Sequence, residues 1–485
     1  MLEHIKSSGW LRDANFINGA WVAADDRRVH GVDDPASGKS LGSIAWSGAA
    51  ETRRAIDAAQ AAFADWSMTT AAERAGFLLK IAAIVRENLD DLAGLLTLEQ
   101  GKPLAEARAE MKLGADYIQW FAEEARRING EIIPSPWKGR QILVTREPVG
   151  VVGAISPWNF PFSMLARKIA PALAAGCTVV AKPSEFTPYC GLVWGVLAEK
   201  AGLPAGVVNV VTGDAAAIGG ALVADARVRK LTFTGSTRVG KLLYAQSAAT
   251  MKKLSLELGG NAPFIVFDDA DIEQAVEGAV AAKFRNSGQT CICANRIYVQ
   301  DGIYDEFARR LSERVAALKV GNGFVAGVQQ GPLINAAAVE KVEAHVADAQ
   351  AKGGRILAGG RRHALGGTFF EPTVIADATA GMLIAHEETF GPVAALFRFH
   401  DEQQVIDAAN AEPFGLAAYF YSRDLARAFR VSRALDSGMV GVNEGLVTTE
   451  VAPFGGVKDS GIGREGSSHG IDEYLSLKYV SLGGL

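Results

Sequence analysis

Cysteine is scarce in this chain: Cys177, Cys190, Cys291 and Cys293 are the only four in 485 residues. So sparse a set argues against a disulfide scaffold. Cysteine and histidine nowhere cluster at zinc-ligand spacing, so no metal site is expected. Basic runs are missing and the formal net charge is −5, which argues against a nucleic-acid partner. No apolar stretch reaches the length of a membrane span, so none is expected. The opening residues, MLEHIKSSGWLRDANF, lack an apolar signal core, and a cytoplasmic location is expected. Internal repeats and low-complexity linkers are absent too.

What is present is ordinary soluble composition, 49% hydrophobic and 21% charged, with length for two or three domains. Residues 51–65, 71–96 and 103–129 carry helical periodicity and many alanines. From about 149 short β-rich runs alternate with helices. VGVVGAI (149–155), TVVAKP (178–183), VVNVVTG (207–213), KLTFTGS (230–236) and KKLSLELGG (252–260) read as strands, with helices at 162–175 and 188–201 among those between them. Five such strands predict a doubly wound parallel sheet. Ligands in such sheets sit at the carboxyl ends of the strands. The alternation resumes more weakly after 262, which predicts a second α/β domain.

Several glycine-rich stretches imitate known signatures. DSGIGREGSSHGID contains G-x-G-x-x-G at Gly461, Gly463 and Gly466, and G-x-S-x-G at Gly466, Ser468 and Gly470. A dinucleotide fingerprint must follow a buried strand and open a helix within a βαβ unit. APFGGVK is no such strand, and only 19 residues follow Gly466. The serine elbow needs an acid and then a histidine further along, and no histidine follows His469. GSTRVGKL approaches the triphosphate loop, but Leu242 stands where a magnesium-binding hydroxyl is required. Its glycine, serine and helix start still suit one phosphate group.

The strand ends themselves are polar and specific: SPWNFP (156–161), KPSEFTP (182–188), FTGSTRVG (233–240) and LELGG (256–260). Turn-forming residues explain any one of them; four on one sheet edge suggest a site. In NSGQTCICANR (286–296), Cys291 lies in a polar, glycine-containing segment, where a packing role is less natural. A nucleophile needs a thiolate and a nearby base or dipole. Glu257 and Asn159 stand at strand ends to supply these, though from spacing alone a packing role stays open.

In order along the chain, PWNFP, KPSEFTP, FTGSTRVG, LELGGNAP, GQTCICANR, EETFGPV and PFGGVKDSGIGREG closely resemble the NAD(P)-dependent aldehyde dehydrogenase superfamily. FRNSGQTCICANRIYVQDGIYDEF and EVAPFGGVKDSGIGREGSSHGIDEYLSLKYV are similar to succinate-semialdehyde and glutarate-semialdehyde dehydrogenases. The resemblance implies a doubly wound cofactor domain (1–129 and 149–259), a second α/β catalytic domain (260–445), and a small β oligomerisation arm with the C-terminal segment (130–148 and 446–485). It implies a homotetramer or homodimer, and NAD as the preferred cofactor with NADP also accepted.

Roles follow from the same resemblance. Cys291 is the nucleophile, Asn159 the oxyanion donor with the backbone N–H of Cys291, and Glu257 the general base. Lys182 and Glu185 bind the adenine ribose, with Ser184 between them. Gly235 and Ser236 hold the pyrophosphate, Trp158 and Leu258 lie beside the cofactor, Glu388 binds the nicotinamide ribose, and Phe390 lies near it. Arg167, Arg285 and the Thr448 hydroxyl take the substrate's distal carboxylate; similar semialdehyde enzymes carry serine at the position of Thr448. Cys291 and Cys293 form a reversible disulfide in similar enzymes. The implied reaction is attack of the thiolate on an aldehyde, loss of hydride to leave a thioester, and hydrolysis by water that Glu257 deprotonates. The competing readings are oxidation of uncharged aldehydes and, in another class, a cysteine esterase or thioesterase.

Overall fold

The computed structural model describes residues 2–485. After a short helix (Leu2–Ser8) come two short strands, β1 (Asn15–Ile17) and β2 (Ala20–Val22), and then a hairpin of Val29–Asp33 with Ser40–Ala45. Four helices follow: α1 (Ala49–Ser67), α2 (Ala71–Glu87), α3 (Leu89–Gln100) and α4 (Leu104–Glu124). The periodic run 71–96 is therefore two helices. Asn88 ends α2 and precedes α3 in a non-helical conformation, and its Nδ2 donates to Ile84 O at 2.8 Å. The Asn88 side chain thus shares the Ile84 carbonyl with its own backbone N–H, 3.2 Å away, a local bond that suits a helix end while the apolar period continues.

After β3 (Glu131–Ile133) and β4 (Arg140–Pro148) comes the alternating block. It runs β5 (Val151–Ile155), α5 (Pro161–Ala175), β6 (Thr178–Lys182), α6 (Pro188–Ala201), β7 (Val208–Val210), α7 (Ala215–Ala224), β8 (Val228–Thr234), α8 (Thr237–Ser247) and β9 (Lys253–Glu257). The five strands are parallel and lie in the order β9-β8-β5-β6-β7. This is the doubly wound arrangement the alternation predicts. Its direction of winding reverses between β5 and β8, where a crevice opens at the carboxyl ends. The sheet is wider than the sequence suggests: β1 joins β7 antiparallel through Phe16 and Val210, bringing β2 with it. Three-residue strands leave almost no periodicity to read.

The second sheet contains β10 (Ala262–Val266), β11 (Ala294–Gln300), β12 (Arg355–Ala358), β13 (Thr373–Ala378), β14 (Val393–Phe399), β15 (Ala417–Tyr421) and β16 (Met439–Val442). Its order is β12-β13-β14-β11-β10-β15-β16, parallel except at the β12 edge. Helices α9 (Ile272–Phe284) and α10 (Ala336–Ala351) belong to this half. Strands β5, β6 and β10 are buried along nearly their whole length, as parallel strands covered on both faces require.

DSGIGREGSSHGID forms no βαβ unit. Gly461–Ile462 is a two-residue strand, β17, antiparallel to β9 at the edge of the first sheet. Gly461 has φ 138°, and a Cβ there would stand 1.9 Å from Leu256 O, so close approach of two backbones explains this glycine. The last strand, β18 (Leu475–Gly483), pairs with β4 over nine residues and makes a separate three-stranded sheet with β3. No helix among the described residues is long and apolar enough to cross a membrane.

Candidate active site

The crevice between β5 and β8 leads into a cavity of about 400 Å³. Trp158, Asn159, Gly235, Ser236, Leu258 and Cys291 line it, together with Glu388 and Phe390. Eight residues singled out in the sequence thus share one space, though they span more than 230 positions.

Asn159 arrives on the loop after β5. Pro161 stands at the first position of α5, where its fixed φ and missing N–H cost nothing. The Asn159 side chain is buried, and its Nδ2 donates to Gln289 O at 3.0 Å. An amide nitrogen has two hydrogens, so this bond fixes the amide plane and leaves a second donor for a developing oxyanion. Its Oδ1 has no partner in the chain.

Cys291 follows a backbone turn that side chains hold in place. Asn286 and Ser287 have φ of 51° and 54°, a strained region for residues with a Cβ. Glu106 Oε2 accepts from Asn286 N at 2.8 Å, Ser287 Oγ donates to Gly331 O at 2.9 Å, and Gln289 Oε1 accepts from Ile334 N at 2.9 Å. Cys291 itself is half-buried. Burial pushes its thiol up to about 12, against the opposing pull of the Arg167 guanidinium.

Glu257 is the last residue of β9 and is buried; neither carboxylate oxygen has a hydrogen-bond partner. Burial, reinforced by the Glu465 carboxylate, raises its pKa well above the ordinary range, while Arg167 and Lys168 pull the other way. A carboxylate so placed is a strengthened base. The burial that hinders ionisation of Cys291 therefore strengthens the group able to take a proton from thiol or water.

Glu465, Lys168 and Thr234 form a buried network that the sequence analysis does not foresee. Lys168 Nζ donates to Glu465 and, at 2.7 Å, to Thr234 Oγ1. Glu465 lies in the quoted GREG segment, and Lys168 adjoins Arg167; nothing in the sequence shows that they meet. Arg167 is drawn into the same network. Its Nε lies 3.3 Å from Glu465 Oε2, and its guanidinium packs 4.3 Å from the Phe454 ring centroid. Arg167 thus has a protein carboxylate of its own, although Nη1 has no partner.

A narrow pocket opens on the far side of the thiol. Arg167, Arg285, Thr290, Cys291, Thr448 and Phe454 are among its walls. Arg285 makes no side-chain hydrogen bond or ion pair among the described residues, and its guanidinium stacks 4.9 Å from the Phe160 ring centroid. Cys293 does not line this pocket; it is buried, and its thiol donates to Lys283 O at 3.1 Å. All four cysteines are free.

The cavity of about 400 Å³ carries groups suited to parts of a dinucleotide. Helix α8 starts at its wall, with Ser236 as N-cap; unpaired first-turn N–H groups are a seat for a pyrophosphate. Gly259 leaves open a space in which a Cβ would stand 3.0 Å from Glu388 Oε2 and 3.1 Å from Thr237 Oγ1. Trp158 and Phe390 meet edge to face at 5.5 Å. Burial raises the Glu388 carboxyl to about 7, opposed by Lys341. Lys341, which donates to Glu388 O at 2.5 Å and lines the cavity, is a cation the sequence analysis passes over. Lys182 and Ser184 lie outside this cavity. Glu185 lines an adjoining one of about 520 Å³, which shares Ile334 and Asn335 with the first. Lys182 Nζ and Glu185 Oε2 are 3.0 Å apart. Burial alone would raise the Glu185 carboxyl; Lys182 and backbone donors hold it below its ordinary value.

A doubly wound sheet with a cavity and a helix N-terminus at its switch-point crevice places the protein in the class of α/β folds that bind dinucleotides there. Residues 21–480 match the aldehyde dehydrogenase family, and the chain belongs to it. It is 58% identical to 3-sulfolactaldehyde dehydrogenase of Pseudomonas putida over the full length of both. It is 56% identical to glutarate-semialdehyde dehydrogenase of Pseudomonas aeruginosa, covering 99% of this chain and 100% of that one. To the NADP(+) succinate-semialdehyde dehydrogenase of Escherichia coli the identity is 54%, over 99% of each. The crystal structure of succinate-semialdehyde dehydrogenase from Burkholderia pseudomallei superposes with a TM-score of 0.97 at 57% identity, covering 98% of each chain.

Proposed function

We propose that this protein oxidises a short ω-semialdehyde, with succinate semialdehyde first and glutarate semialdehyde next, to the corresponding dicarboxylate. Arg285 carries this reading. A half-buried guanidinium without an ion pair, facing the same pocket as Cys291, awaits an anion. Guanidinium matches a carboxylate bidentately and stays charged. Thr448 adds a hydroxyl donor, and its methyl narrows the pocket. Arg167, already paired with Glu465, adds positive field and its unpartnered Nη1.

In the reaction, Cys291 attacks the aldehyde carbon after losing its proton. The second N–H of Asn159 and the backbone N–H of Cys291 receive the oxyanion; losing one such donor typically costs about 3–4 kcal/mol of barrier. A nicotinamide dinucleotide supplies the hydride acceptor. Glu257 then takes a proton from the water that cleaves the thioester. Ser236 and the start of α8 would hold the pyrophosphate, Glu388 the nicotinamide ribose, and Trp158, Gly235, Leu258 and Phe390 the surrounding surface. Lys182, Ser184 and Glu185 would hold the adenine ribose, and the ionised Glu185 favours NAD by repelling a 2′-phosphate. The NADP(+) in the name of the E. coli relative is the reason for assaying both cofactors.

A panel of succinate semialdehyde, glutarate semialdehyde, 3-sulfolactaldehyde and butanal, each with NAD and NADP, tests the proposal. 3-Sulfolactaldehyde belongs there because the P. putida relative bears its name, and a sulfonate would meet the same arginine. Arg285→Ala should lower kcat/KM for the semialdehydes by about 30-fold to several thousand-fold, as expected for 2–5 kcal/mol from an unpaired buried charge. Butanal should be affected far less. Equal losses on all substrates would remove the anion-binding role and favour an uncharged aldehyde. Sulfolactaldehyde as the best substrate would keep the arginine and replace the carboxylate.

A further inference from the structure

Beneath Asn159 lies a buried ion pair that the reaction scheme leaves without a task. Lys102 and Glu110 side chains are fully buried, with Nζ 2.7 Å from Glu110 Oε2. Lys102 Nζ also donates to the backbone carbonyl of Asn159 at 2.7 Å. That carbonyl accepts a second bond, from Asn286 Nδ2 at 3.1 Å. Asn286 in turn is held by Gln100, whose Nε2 donates to its Oδ1 at 3.0 Å, and the Gln100 Oε1 accepts from Lys102 N at 3.0 Å. The other oxygen of Glu110 accepts from Phe162 N at 3.1 Å and Ser163 N at 3.3 Å, in the first turn of α5. The Lys102 ammonium also lies 3.9 Å from the Phe160 ring centroid.

We infer that Lys102, with Glu110 as its counter-charge, is a positioning residue for the oxyanion donor. The pair grips the Asn159 peptide on one side and the first turn of α5 on the other. Between those grips lie only Phe160 and Pro161. Across the site, Gln289 O takes one hydrogen of the Asn159 amide, and the Gln100–Asn286 bridge ties the Gln289 segment to the Lys102 segment. The second N–H is thereby aimed, and neither Lys102 nor Glu110 touches substrate. A buried ion pair by itself contributes little net stability over neutral replacements; the further bonds of this one to the Asn159 carbonyl and the first turn of α5 are what give it a positioning task. Misplacement of a reacting group by about 1 Å costs on the order of 100-fold in rate.

The inference rests on the aldehyde-oxidation reading and is tested with whichever aldehyde the wild-type enzyme oxidises. Failure of the wild-type enzyme to reduce cofactor with any aldehyde would overturn that reading alone. Lys102→Met by itself strands the Glu110 charge and risks misfolding. Lys102→Met combined with Glu110→Gln removes both charges while keeping an acceptor for the α5 N–H groups. This double variant should fold and bind cofactor with unchanged affinity. Its thiol should react with iodoacetamide at the wild-type rate. The pre-steady-state burst of reduced cofactor should slow on the order of 10- to 100-fold, with KM for the aldehyde changed less than about twofold. In an Asn159→Ala background the same pair of substitutions should slow the burst no further, because nothing remains to be aimed. A normal burst, an equal slowing in the Asn159→Ala background, a parallel loss of thiol reactivity, or an unfolded double variant would each overturn the inference.

Discussion

Two protons held too tightly set the chemistry at the scale of single residues. The Cys291 thiol is pushed up to about 12 and the Glu257 carboxyl well above its ordinary range, both foremost by burial. Cys291→Ala should abolish aldehyde oxidation while cofactor titration stays normal; substantial remaining activity would falsify the nucleophile. Glu257→Gln should give a burst of reduced cofactor and then little turnover. The same variant bears on stability. A carboxyl whose folded pKa is raised keeps its proton in the native state at pH values where the unfolded chain has released it. Native protein then binds more protons, and stability falls as pH rises from the ordinary carboxylate pKa towards the raised one. Glu257→Gln should therefore melt higher than wild type at neutral pH, with the difference shrinking towards pH 4. A lower melting temperature at neutral pH would show that the carboxylate is stabilised by partners in solution.

At the scale of elements, β17 matters beyond its two residues, because it pairs directly with Leu256 and Glu257. Gly461→Ala would drive a Cβ into Leu256 O and force a positive φ on a side-chain residue. It should destabilise the protein by about 1–3 kcal/mol and, by shifting Glu257, slow thioester hydrolysis more than the burst. Equal slowing of both phases would mean that β17 supports the sheet without tuning the base. The sequence hides this strand behind a counterfeit fingerprint. Of the five β-rich runs from 149 to 260, those of β5, β6 and β7 were legible because nearly every residue is buried, and those of β8 and β9 because β-branched and apolar residues run up to a turn. Asn88 was not, because the apolar periodicity carries on across this one non-helical residue. Among site residues, Cys291, Asn159 and Glu257 stood out as polar groups at strand ends or in loops. Lys102, Lys168 and Glu465 did not, since a buried charge declares itself only through partners up to 297 positions away.

The whole molecule carries an apolar surface that one copy does not cover. On one face of β18, Leu477 and Tyr479 are 69% and 60% exposed; Ile132, on the opposite face of the same sheet, is 71% exposed, and Trp137 in the turn is 52% exposed. Large apolar groups gathered on one open sheet mark a contact surface, and we propose that a second copy of this chain covers it, giving a dimer or tetramer. Light scattering on a sizing column should return a multiple of 51.2 kDa, and Leu477→Lys with Tyr479→Lys should reduce it. A wild-type monomer at micromolar concentration would refute the arm's role.

The late position of Glu465 and β17 also orders events in time. When a ribosome has made the chain as far as Glu450, every parallel strand of both sheets has been synthesised, as have Cys291, Asn159 and Glu257. Lys168 and Arg167, however, still lack the carboxylate that neutralises them, and β9 still has an open edge beside the base. Cys291, Asn159 and Glu257 are thus made well before the segment that completes the surroundings of Glu257. The last few dozen codons therefore supply the counter-charge of Lys168 and Arg167 and the strand that closes the edge of the first sheet.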